Sequence, residues 1–422
     1  MGRIAQYLDL TLLSNRSRIV FLLIYLFLLG SHCCDYSLYL FASAALFFIQ
    51  KQQVWNKEVA VLSLFILSVY ITWIFLDKRL LHDTNTAIRL FSQGALMWVM
   101  YPLGASIASL FSKEKLSAER VIFYILFIFF IAYTLSIAYS YMTIPQDQHL
   151  FPDKVVPNGM HVWFLNEYSR LHVLDGRLIS TIIAYYLTFM AVLFPLLVFC
   201  FQAFRERKFS YFEMIALLCL SLFAIYISNE MGRRTVLLLL GISFVYIVTA
   251  KLTLYQRYFS KKIFLLALVA AIIIAGAGYY LFIDTPAMQR MMQKGLSDSR
   301  FGFWLPALEA MWHYPFGGGH CVLVGHNMKL AHNTWIDIGK DFGIIPFFLF
   351  LIFSLMHIPY LMRIAFSRHI SRFLKHQIMI IAVSLFAIMM IEPVFTSDKT
   401  FFAYGVFFLG FVKHLSTIED ES

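Results

Sequence analysis

RFGFWLPALEAMWHYPFGGGHCVLVGHNMKLAHNTWIDIGKDFGIIP, residues Arg300 to Pro346, is an island of Gly, His, Asn, Arg and Trp set between apolar runs. Runs of that apolar kind, about 18 to 25 residues long, recur along nearly the whole chain. This is the length a helix needs to cross a hydrocarbon core of about 30 Å. Across 422 residues, 60% are hydrophobic and 14% charged, with a mean hydropathy of +0.73. Those values exclude a soluble globular protein and a disordered chain. The strict apolar/polar alternation of a membrane barrel is absent. The predicted fold class is therefore all-α, a polytopic integral membrane protein forming one domain over residues 1–422.

About twelve spans are predicted, at 18–32, 35–50, 58–76, 86–111, 121–141, 179–201, 211–228, 234–250, 262–283, 342–363, 376–392 and 400–416. One set of connections, mostly short, carries twenty of the 34 Lys and Arg residues, and the positive-inside rule makes that set cytoplasmic. Both termini then lie inside. Two long loops, 142–178 and 284–341, lie outside. The first apolar run has no small-residue cleavage site after it and is expected to act as a signal anchor. The net charge of +10 is accounted for by the cytoplasmic anchors and by anionic membrane lipid. No basic-aromatic patch points to nucleic acid. The five cysteines have no metal-ligand spacing, and Cys33-Cys34 reads as small apolar packing.

Polar, conformationally demanding sequence between membrane spans marks where such a protein acts. In the first outer loop, Arg170 lies close to the start of the span at 179. In the second, PAMQRMMQKGL (286–296) has the look of an interfacial helix. Arg300 then opens a short helix, with Trp304, Leu308, Met311 and Trp312 at helical spacing on one face. The triple glycine Gly317-Gly318-Gly319 permits positive φ and could cradle an anion with its N–H groups, or simply form a turn after Pro315. His332-Asn333 opens a helical segment expected to run into the span at 342, with Gly339 on the same face and Gly343 one turn on. His320, His326 and His332 lack a carboxylate or a second cysteine at a usual spacing, so no metal is expected.

Two further arginines stand against the charge trend. Arg233 and Arg234 sit at the outer mouth of the span that begins at 234. Guanidinium there calls for an anionic partner, either Glu230 nearby or a bound phosphate gripped together with Arg300 and Arg170.

These pieces together resemble the O-antigen ligase/polymerase superfamily of membrane glycosyltransferases. The matching residues are Arg234-Thr235 opening a helix, Arg300-x3-Trp304-x2-Ala307-Leu308, Pro315-Phe316-Gly317-x-Gly319, and His332-Asn333 with Gly343. They cover about 120 residues, from 230 to 350. The resemblance implies a GT-C-like fold and transfer of a glycan from undecaprenyl pyrophosphate to an acceptor sugar hydroxyl, without metal or cofactor and with inversion. The acceptor would be lipid A–core for a ligase, or a second lipid-linked glycan for a polymerase. It implies His332 as catalytic base and Arg234 and Arg300 as pyrophosphate ligands. Arg170, from its place near the outer boundary, is a further candidate ligand, and Arg233, Asn333, Gly317 and Gly319 are candidates in support. The ligase pattern fits at His332, Asn333 and Gly343 and departs at Pro346. Glu230, Asp298 and Asp337 are candidate orienting carboxylates. A transporter of lipid-linked glycans is the competing class, although such proteins concentrate broken or charged helices at mid-membrane depth. Trp335-Ile-Asp-Ile-Gly339 also resembles an oligosaccharyltransferase element, but that family's D-x-D metal motif occurs nowhere in the chain.

Overall fold

The computed structural model describes residues 15–31, 36–49, 56–76, 84–113, 302–317, 331–367, 370, 372–397 and 399–417, with isolated positions between 124 and 135 and between 215 and 223. The chain divides into two compact units, Met1–Ser136 with Ser299–Ser422, and Ile137–Asp298. The helices between Asn15 and Lys113 and between Trp304 and Thr417 all belong to the first unit.

Among the described residues the structure is helical, without strands. A chain this apolar has little to satisfy its N–H and C=O groups except its own backbone, and the helix does so within each segment. The helices are α1 (Asn15–Ser31), α2 (Tyr36–Ile49), α3 (Lys57–Leu76), α4 (Thr84–Lys113), α5 (Trp304–His313), α6 (Thr334–Phe342), α7 (Ile344–Leu355), α8 (Ile358–Phe366), α9 (Arg372–Ile391), α10 (Val394–Ser397) and α11 (Lys399–Thr417). Among the described residues, three stretches are long and apolar enough to cross a membrane: Lys57–Phe75, Ile344–Phe366 and Leu374–Ile391. The predicted spans at 121–141, 179–201, 211–228, 234–250 and 262–283, and the first outer loop, lie outside the described residues or touch them only at isolated positions.

The span predicted at 342–363 differs in detail. It is preceded by a separate helix, α6, and begins only at Ile344, because Gly343 at φ +101° ends α6. Its far part bends at Met356-His357, where α8 begins.

Packing is tightest between α4 and α11. A Cβ on Gly104 would overlap the Phe407 carbonyl, and one on Gly410 would overlap that of Tyr101. Two glycines therefore let the helices meet backbone to backbone, a contact that small residues make possible between apolar helices. Around this axis α3, α7, α10 and α11 share an aromatic core. Phe65 lies 5.2 Å from Phe350, Phe350 lies 5.3 Å from Phe402, and Phe395 lies 5.0 Å from Phe402.

The core ends in polar networks at both ends of α3. At its start, Asn56 caps the helix by accepting from the N–H of Val59 at 3.0 Å. Glu58 is fully buried there. One of its oxygens accepts from Tyr360 Oη at 2.5 Å and the other pairs with Lys413 Nζ at 2.6 Å. Beside this pair, His357 Nδ1 donates to the Phe353 carbonyl at 2.7 Å, since a carbonyl can only accept. That leaves Nε2 to accept from Tyr101 Oη at 3.0 Å. Four helices, α3, α4, α8 and α11, are joined at this end.

Candidate functional site

The opposite end of the bundle holds His332. It is the one non-glycine residue with positive φ among those described, at +56°. A histidine in this left-handed region costs on the order of 1 kcal/mol or more and persists only where its neighbours enforce it. Three sets of contacts do so.

The first is the cap of α6. Asn333 Oδ1 accepts from the N–H groups of Trp335 and Ile336 at 3.1 and 3.2 Å. The second runs in the reverse direction. Asp337, in the first turn of α6, accepts from the N–H of Ala331 at 2.7 Å and from that of Asn333 at 3.1 Å. This reciprocal clamp brackets His332 on both sides of the chain. Burial pushes the Asp337 carboxyl up to about 6, with the Ala331 N–H acting against the rise and Asp341 adding to it. The third set ties the turn to the corner after α9. Thr334 Oγ1 donates to the Glu392 carbonyl at 2.7 Å and accepts from the N–H of Val394 at 3.1 Å. Asn333 Nδ2 donates to the Met390 carbonyl at 3.3 Å.

That corner exists because Pro393 lacks an N–H and cannot continue α9. It presents Glu392 to the histidine. Glu392 Oε2 lies 3.4 Å from His332 Nδ1, with the carboxylate side chain 3% exposed and the imidazole 20% exposed. The spacing is at the long end for a hydrogen bond. A carboxylate facing Nδ1 holds the proton on that nitrogen and leaves the Nε2 lone pair available to take another. The arrangement can act as an oriented general base.

The platform beneath is rigid. Trp335 Nε1 donates to Ser354 Oγ at 3.0 Å, and its ring stacks on Phe386. Thr72 at the end of α3 donates to the Phe342 carbonyl at 3.0 Å. Lys340, buried, pairs with Asp341. The turn after α5 is pinned to the same place, with Ile344 N–H donating to the Pro315 carbonyl at 2.9 Å. Gly317 (φ +88°) and Gly343 lie so close that a Cβ on either would run into the other segment's backbone.

Several predicted site residues are placed here and others are not. His332, Asn333 and Gly317 belong to this assembly. Gly317 takes positive φ as anticipated, and its N–H donates to the Tyr314 carbonyl at 2.9 Å, which closes a turn. Arg170, Arg233, Arg234, Arg300 and Gly319 lie outside the described residues, as do Glu230 and Asp298. Asp337, a candidate orienter of His332, instead orients the backbone on either side of it.

His332 is not part of a helix that continues into the span; it precedes the cap of a separate one. Gly339 does not share a face with it but makes room for the Met311 sulphur. Trp304 and Leu308 pack against Phe303, Ala307, Ala331 and Ile336, and Met311 is buried against Gly339, whereas Trp312 turns away and is 65% exposed. Glu392 was not anticipated. Its signal was an acidic residue followed by proline at the end of an apolar run, on the same side as His332.

No family model matches the chain, and no curated protein matches it.

Proposed function

We propose that this protein is a multi-pass membrane glycosyltransferase that moves a glycan from undecaprenyl pyrophosphate to an acceptor sugar hydroxyl. His332 is the general base, working at the periplasmic face of the inner membrane. The observation that carries this reading is the His332–Glu392 pair, held in a strained turn at one end of an apolar helical bundle. Attack by a sugar hydroxyl on an anomeric carbon needs a base that removes the hydroxyl proton, and an imidazole with its tautomer fixed does this near neutrality. Nε2 accepts that proton as the new C–O bond forms. The bond to pyrophosphate breaks and inverts the centre, and the departing phosphate oxygens carry the charge. Arg300, Arg234 and Arg170, with Arg233 in support, are the guanidinium groups assigned to that charge, because planar bidentate donors suit phosphate. No metal or cofactor is assigned.

The acceptor is lipid A–core, which makes the activity ligation. The departure of Pro346 from the ligase pattern favours repeat-unit polymerisation as the second reading. Pro346 sits in the first turn of α7, where proline is tolerated.

Reconstitution of the purified protein with lipid-linked donor and acceptor tests the class. A new glycosidic bond is expected, and transport without bond formation would refute it. His332→Ala and Arg300→Ala are each expected to abolish transfer while the protein still inserts. In a deletion strain, loss of all core-attached glycan with accumulation of lipid-linked polymer marks a ligase. A single repeat unit left on the core marks a polymerase.

A further inference from the structure

Among the described residues, helix α5 packs on the His332 platform by one face. Taking 100° per residue, Trp304, Ala307, Leu308 and Met311 fall within about 100° of each other, and this is the side turned to Phe303, Ala331 and Ile336. Leu305 and Trp312 lie about 20° apart on the next stripe. Each is 65% exposed. Glu309 and His313, also exposed, follow further round. The helix thus has a protein side, an apolar side and a polar side, in that order. The turn that follows extends the apolar side, with Tyr314 53% and Phe316 78% exposed.

The depth of this stripe is set by the pinned turn. The Pro315 carbonyl accepts from the N–H of Ile344, the first residue of the apolar stretch Ile344–Phe366. The backbone of Phe316 touches Gly343. From that junction α7 carries its own open apolar stripe, Ile345, Phe348, Ile352 and Leu355, all between 46% and 55% exposed. The turn after α5, with exposed Tyr314 and Phe316, thus abuts the head of α7, whose open stripe is the side that faces lipid if Ile344–Phe366 is a span. Trp, Tyr and Phe gathered at the head of a span are the composition of a membrane–water interface. A helix with separate apolar and polar sides lies in that interface rather than above it.

We propose that α5 is seated in the lipid headgroup–acyl boundary at the His332 end of the bundle, through Leu305, Trp312 and Phe316. The bilayer is then a direct partner of the site, because α5 is fastened to the His332 platform through Met311 and Pro315. The seat holds His332 at the depth where a lipid-borne phosphate lies. The inference rests on Ile344–Phe366 being a membrane span and not on the chemistry assigned to His332.

The test places the photo-crosslinking residue p-benzoylphenylalanine singly at positions 305, 309, 312, 313 and 348 of the full chain. The protein is reconstituted in nanodiscs of phosphatidylethanolamine and phosphatidylglycerol, and adducts are identified by mass. Lipid adducts are expected at 305, 312 and 348 and are expected to be lost at 309 and 313. Lipid adducts at 348 with none at 305 and 312 would overturn the seat and leave the span standing. Protein–protein or glycan adducts at 305 and 312 would equally overturn it. Absence of lipid at 348 as well would remove the span on which the inference rests. Two positions on the stripe guard against one variant that fails to fold, and each variant must retain a monodisperse elution profile to be scored.

Discussion

The two ends of the α3–α11 bundle each bury a carboxylate against a nitrogen base, yet they are built for different purposes. At the Glu58 end the carboxylate is fully enclosed, and its oxygens are met at 2.5 and 2.6 Å by Tyr360 and Lys413. At the His332 end the pair is 3.4 Å apart, one member keeps a fifth of its surface open, and the backbone is held at positive φ. A tight, closed pair fixes helices. A looser, more open one, held at positive φ by its surroundings, is the arrangement that the proposed base requires.

The comparison breaks most easily at the closed end. Glu58→Ala strands Lys413 beside the core, and loss of one partner of a buried pair costs about 3–5 kcal/mol. Thermal unfolding in detergent should show the drop, and Glu58→Gln combined with Lys413→Met should recover most of it. Full stability of Glu58→Ala would show that this end is not the clamp described.

Next in size is a pH effect at the open end. The Asp337 carboxyl is raised to about 6, so its contribution to stability is complete below its ordinary value and is lost as pH rises through about 6. The shift of about two units bounds the effect on the order of 2 to 3 kcal/mol. Wild type should therefore lose stability relative to Asp337→Asn between about pH 4 and about pH 6.5, read as the difference between their melting curves. A constant difference would refute the shift.

Glu392→Gln should lower transfer by about 10- to 100-fold, the usual effect of losing a group that orients a reacting imidazole, with little change in thermal midpoint. Equal rates would remove Glu392 from the site. The smallest effect expected is that of Asn333→Ala, about 1 kcal/mol of stability for a lost cap, measured by the same unfolding assay.

How much of this was legible in sequence follows from range. Apolar runs declare helices locally, and the predicted 58–76, 86–111 and 400–416 match Lys57–Leu76, Thr84–Lys113 and Lys399–Thr417 closely. His332 and Asn333 were visible as polar residues where apolar ones were due. The break at Gly343 was not, because glycine inside an apolar helical pattern reads equally well as packing. It becomes a break only through the docked Pro315 carbonyl. Trp312 fitted a face by spacing, but its neighbouring stripe was the one that remained open. Glu392 stands sixty residues from His332, and tertiary contacts such as those of Thr334 and Asn333 to the 390–394 corner bring the two together.

In the proposed reaction His332 acts as a base rather than as part of the scaffold. His332→Asn decides this, since asparagine tolerates positive φ and keeps the turn while removing the imidazole. In the reconstituted transfer assay, with thermal unfolding measured in parallel, the account predicts a fall in rate of about 10²- to 10⁴-fold at an unchanged melting midpoint. Transfer near the wild-type rate, or a loss of rate that only follows a loss of folded protein, would contradict it.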